Sequence, residues 1–171
     1  MIGNHGRPGQ RGDNSPYTNF DRLFYWGLQK SLENQSNVKV FISESPSMIV
    51  QHGEKIFLLN HGDAVRGWMG IPYYGLERMY RRLPDLYNMI IHYELIAHHH
   101  EAANLADKMI INGTLVGGSD LSVNKMLKSS VPSQKIFYFH PKHGINRESN
   151  LKLAEIPKLV ADAQGIFTPY R

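Results

Sequence analysis

Short β-rich runs that end in histidine, with a stretch of helical period between them, constrain this chain more than any other feature. Ile56-Phe57-Leu58-Leu59-Asn60 leads straight into His61-Gly62, and Tyr93-Glu94-Leu95-Ile96-Ala97 leads into His98-His99-His100. Between them, Leu76 to Ile91 places apolar residues at helical intervals, interrupted by Pro84, which lacks an amide donor and should end or kink the helix. Strands alternating with helices, with the chemistry at strand ends, predict a layered α/β domain.

Other segments extend the pattern. Val38 to Ile42 and Met48 to Gln51 are β-rich, and His52-Gly53-Glu54-Lys55 predicts a hairpin joining the second of these to Ile56–Asn60. Lys108 to Ile111 and Lys135 to His140 predict two more strands, separated by a Gly- and Ser-rich stretch and a short helix near Val123 to Leu127. Tyr17 to Leu32 spaces Phe20, Leu23, Phe24, Gly27 and Leu28 at helical intervals behind a cap at Thr18 or Asn19, so an amphipathic helix should pack its apolar face on a sheet. Gly6 to Pro16 is dense in turn formers and predicts a surface loop. From Ile145 onward the chain reads as a peripheral tail with a helix from Ile156 to Ala163. A length of 171 residues fits one domain, 1–171.

The chain has nine histidines and no cysteine, so a metal site would draw on imidazole, carboxylate, amide and water. The formal charge of +4 would favour approach to a phosphate-bearing partner. No apolar stretch approaches the roughly 20 residues that span a bilayer, and the first residues lack the order of a signal peptide, which predicts a cytoplasmic protein without membrane contact. His98 and His100 are two apart, so in an extended segment they face the same way, whereas on a helix they diverge by roughly 200°.

Gly3-Asn4-His5, His61-Gly62-Asp63 and Ala97-His98-His99-His100 resemble, in that order, the Gly-Asn-His, His-Gly and Gly-His-x-His motifs of calcineurin-like metallophosphoesterases. The Gly-Asn-His-Gly-Arg form is similar to phage or bacterial members. The family's Asp-x-His and Gly-Asp-x-x-Asp motifs have no counterpart before Gly3. The resemblance therefore implies the C-terminal portion of a layered αββα sandwich, beginning at Gly-Asn-His, with the N-terminal strands missing. It implies Asn4, His61 and His98 as ligands of a second metal and His100 as a ligand of the first, with His99 turned away. His5 would contact the scissile phosphate and protonate the leaving group, and Ala97 replaces the family's glycine. The implied cofactors are two divalent ions, with manganese, iron or zinc favoured by histidine ligation. The implied reaction is two-metal hydrolysis of a phosphomonoester or phosphodiester, with nucleic acid or a nucleotide as the substrate class.

Asp63 would either orient an imidazole or accept a bond from a loop amide. Arg7 and Arg11 would hold a phosphate through forked guanidiniums, and read equally as solvated loop cations. Whether such a chain is an enzyme stays open, because a catalytically incomplete half-domain could instead act as a binding or structural module. That reading implies a homo-oligomer or a partner chain that supplies the missing half. Arg78, Arg81 and Arg82, with Tyr80 among them and Trp68, Tyr73 and Tyr74 upstream, suit either a solvated helix face or a surface that tracks a nucleic acid strand. His140 and His143 read as a turn at the sheet rim, and His52 and His92 as structural.

Overall fold

The computed structural model describes residues 1–9, 15–65, 72–116 and 131–153; Arg11, Trp68 and the helices expected at 123–127 and 156–163 lie outside them. Five strands form one mixed sheet: β1 (Ser47–His52), β2 (Lys55–Asn60), β3 (Tyr93–Ile96), β4 (Ala103–Leu105) and β5 (Met109–Ile111), in the order β1-β2-β3-β5-β4. β3 runs parallel to both β2 and β5, while β1 and β4 pair antiparallel on the outside. The parallel centre explains the unbroken apolar runs, since its strands are covered on both faces; all three residues of β5 are buried. A turn with Gly53 at φ +60° closes the predicted β1–β2 hairpin.

Helices α2 (Pro72–Tyr80) and α3 (Leu83–Tyr87) cover one face of the sheet. Pro84 lies in the first turn of α3, so the predicted break falls just before it. Leu76 of α2 packs with Ile96, Met109 and Ile111, and Leu83 of α3 packs with Leu58 and Ile91. Each fully buried leucine stabilises the fold by roughly 2 kcal/mol. Glu94 shares this layer, paired across the sheet with Leu58 and Met109, and its side chain is wholly buried.

The opposite face carries Phe57 stacked on Tyr93, with ring centroids 5.1 Å apart. A second sheet, β6 (Ser133–His140) paired antiparallel with β7 (Gly144–Lys152), lies against it. Phe139 meets Phe57 edge-on at 5.1 Å, and the Ile145 amide donates to the Tyr93 hydroxyl at 3.0 Å. Helices, a mixed sheet and a second sheet thus give the expected layered α/β class.

Three expectations change. Val38 to Ile42 forms no strand; the Val40 carbonyl instead accepts from Gln29 Nε2 at 2.8 Å. Ile145 onward begins strand β7 rather than a tail, because β6 supplies a ladder partner that its polar sequence does not announce. Finally, helix α1 (Phe20–Ser31) buries none of its residues, and Phe20, Leu23 and Phe24 are exposed. It is held through polar groups at Asn19, Asp21 and Gln29 rather than through its apolar face.

Candidate metal centre

The carboxyl ends of β2 and β3 lie side by side because these strands are parallel neighbours in register, Asn60 opposite Ile96. His61 and His98 follow directly, and their rings meet edge-on at 5.1 Å. Gly62 makes the approach possible. Its φ is +96°, and a methyl there would sit 2.8 Å from Ile96 Cγ2 and 3.3 Å from His99 Nε2. The Gly62 amide donates to Asn60 Oδ1 at 2.8 Å, which fixes the strand end.

The 98–100 segment is not extended. The His99 amide donates to the Ala97 carbonyl at 2.7 Å, closing a three-residue turn around His98, whose φ is +66°. This is the strained form of such a turn, and His100 is also left-handed at +59°. The cause lies in the topology, since the chain must leave β3 and pass β5 to enter edge strand β4. Left-handed non-glycine residues cost about 1–3 kcal/mol each and cluster where a site is held in shape.

A third element completes the cluster. His61 Nε2 donates to Asn4 Oδ1 at 2.6 Å, joining residues far apart in sequence. The loop that carries Asn4 is bound at both ends to the start of α1. Asp21 accepts from the Gly3 amide at 2.7 Å, Asn19 Nδ2 donates to the Gly3 carbonyl at 2.9 Å, and the Phe20 amide donates to the Gly6 carbonyl at 2.7 Å. Asn19 Oδ1 also caps α1 by accepting from the Asp21 amide at 2.9 Å. A side chain at Gly6 would collide with Asn19 Oδ1 and Asp21 Oδ1. The sequence offered Asn19 as a helix cap but gave no sign that Asn19 and Asp21 position the Asn4 loop. Their signal, an Asn-x-Asp at a helix start, is shared with ordinary capping.

Burial is the main reason the His61 pKa falls to about 4, with the charge of His98 adding to the effect. His61 is therefore uncharged across the neutral range, the state in which imidazole binds a metal. Donor chemistry fits a divalent ion. His61 and Asn4 would offer such an ion an imidazole nitrogen and an amide oxygen. Among the described residues, no three His, Asp or Glu side chains gather closely enough to hold a metal by themselves, so an ion here would need Asn4 as a further ligand. His100 is exposed, as is His5, whose charge also opposes protonation of His61.

Arg7 forms a buried ion pair with Asp63, whose carboxylate accepts from the guanidinium. Among the described residues Asp63 thus pairs with Arg7 rather than hydrogen-bonding an imidazole or a loop amide, although its charge acts on His61, and Arg7 ties the Asn4 loop to the turn after β2. Glu94 lies one strand length from His98 with neither carboxylate oxygen hydrogen-bonded among the described residues, and burial raises its pKa to about 7. At the start of α2, the Tyr73 hydroxyl donates to Glu101 at 3.3 Å, which holds that helix to the loop following the histidines.

No protein-family model matches the chain, and no curated protein matches it in sequence. Two solved structures of Vps29 from Entamoeba histolytica are similar in backbone course. One, wild-type Vps29 complexed with zinc, has a TM-score of 0.44 at 14% identity, over 68% of this chain and 66% of that one. The other, a single mutant of Vps29, has a TM-score of 0.45 at 13% identity, over 90% of this chain and 97% of that one.

Proposed function

We propose that Asn4, His61 and His98 hold one divalent ion, of manganese, iron or zinc type, and that this centre serves hydrolysis of a phosphate ester. The observation that carries the reading is that His61, at the end of one of two adjacent parallel strands, is hydrogen-bonded to Asn4 and in ring contact with His98 at the end of the other. His100, two residues along, supplies a further imidazole, and the exposed His5 stands free to meet a leaving group. When bound, the ion would polarise a phosphoryl oxygen and lower the pKa of a coordinated water. This chain's own residues fix the loop and strand ends that present the ligands, keep His61 uncharged and offer His5 as a proton donor. Arg7 acts through Asp63 as a brace, and Arg11 remains the candidate for phosphate contact. Isothermal titration with Zn²⁺ and Mn²⁺, followed by hydrolysis of a model phosphodiester, tests the proposal. The expected result is one ion per chain, lost on His61→Ala; a chain that binds no ion refutes it.

A second reading is favoured by the exposed apolar side chains of α1 and by Phe41, which is 76% exposed. A patch of this kind suits a protein partner, and a second copy of the chain is the simplest one. In that reading the metal centre is structural and the domain binds rather than cleaves. Light scattering distinguishes the two, since Phe24→Asp should dissolve such a dimer while leaving ion binding intact.

A further inference from the structure

While Leu76 anchors α2 to the core, the opposite side of the helix faces solvent. Tyr74 and Arg78 lie one turn apart on that outer face, and Arg81 and Arg82 stand just beyond the end of the helix at Tyr80. With Glu77 they line an open concavity of about 330 Å³. Glu77 is the only carboxylate in this lining, and it is engaged by Arg81 at 2.6 Å. Arg78 and Arg82 form no ion pair among the described residues. Tyr74, 61% exposed, leaves its ring face open beside them.

Such a face offers two unneutralised guanidiniums and an accessible aromatic ring on a helix whose other side is locked into the core. Guanidiniums bind phosphates as planar forks, and a rigid exposed ring stacks on a base of any kind. From Tyr74 to its end at Tyr80 the helix rises about 9 Å, a reach of a few nucleotides with Arg81 and Arg82 beyond it. A lipid surface suits the face less well, because the lining has no aliphatic side chain to enter the acyl layer and Glu77 would oppose anionic headgroups. We infer that the outer face of α2 binds single-stranded nucleic acid, with Arg78 and Arg82 on phosphates and Tyr74 stacked on a base. The inference stands apart from the metal centre and holds without metal.

Fluorescence anisotropy of a labelled oligothymidylate, with the full chain in EDTA, reads this directly. Binding should weaken as salt rises, and Arg78→Gln and Arg82→Gln should each reduce the slope of log K against log salt by about 0.7. Tyr74→Leu should weaken binding about tenfold with the slope unchanged. Circular dichroism of each variant separates lost contacts from lost fold. No binding at 50 mM salt, or equal binding by folded variants, would overturn the inference. So would binding to phosphatidylserine vesicles without binding to the oligonucleotide.

Discussion

Among the described residues histidine rings meet at two places, a strand-end cluster and a hairpin turn, and only the first gathers donors from separate parts of the chain. His61 and His98 lie 5.1 Å apart at the ends of two parallel strands, and His140 and His143 lie 4.5 Å apart at the turn between β6 and β7. The closer pair has spent its chemistry on the backbone. His140 Nδ1 accepts from the amides of Lys142 and His143 at 3.2 and 3.1 Å, and so closes the turn. The strand-end pair is partly desolvated, and a third donor, Asn4, comes to it from another part of the chain. Proximity of imidazoles therefore says less than convergence of separately held donors.

The largest expected effect tests this contrast head-on. His98→Ala should lower Zn²⁺ affinity about 10³-fold by titration calorimetry, whereas His140→Ala with His143→Ala should leave it unchanged. Equal losses in both would erase the distinction. Next comes the brace beside the strand-end pair. Arg7→Ala strands a buried Asp63 carboxylate and should cost about 3 kcal/mol in denaturant unfolding. A loss below about 1 kcal/mol would mean that Asp63 regains water readily.

Glu94 sharpens the comparison through pH. Its pKa is raised in the folded state, so its neutral form is favoured there; the stability this brings is complete below pH about 4.5 and is lost as pH rises through about 7. Glu94→Leu should remove that slope and raise stability at pH 8 by roughly 2 kcal/mol, with a smaller gain at pH 5. Urea midpoints at the two pH values check this, and an equal change at both would place the carboxylate in a wetter setting. The smallest effect is expected at the anchor of the Asn4 loop. Asn19→Ala removes the α1 cap and a bond to Gly3, costing about 1 kcal/mol and weakening Zn²⁺ binding about tenfold. Unchanged Zn²⁺ binding would confine Asn19 to capping.

Strands β2, β3 and β5 and the break at Pro84 were legible because an apolar run, a histidine end or a proline marks each locally. Strand β7 was not, because Gly144-Ile145-Asn146-Arg147-Glu148 takes its conformation from β6, a tertiary neighbour. Edge strand β4 was missed for the same reason, being three residues long and defined by its pairing with β5. Among the site residues, motif order pointed to Asn4, His61, His98 and His100 together; Asn4 bonds to His61 and His61 touches His98, while His100 is exposed and takes part in neither contact. The turn that makes His98 left-handed was not legible, since it reflects the route from β3 past β5 rather than any local preference. The exposure of α1 was equally hidden, because helical period tells which residues share a face and not whether anything covers it.

The order β1-β2-β3-β5-β4 also bears on how the chain reaches its native state. β1–β2 and β4–β5 are hairpins whose ends meet across short turns, so their closure is entropically cheap and fast. Joining β2 to β3 needs the whole crossover from Asn60 to Tyr93, and long-range parallel pairing is the slow class of contact. His61 and His98 flank that one seam. Their meeting is therefore expected late in folding, and Co²⁺ taken up by the proposed centre during refolding would test whether the two halves of the sheet join last.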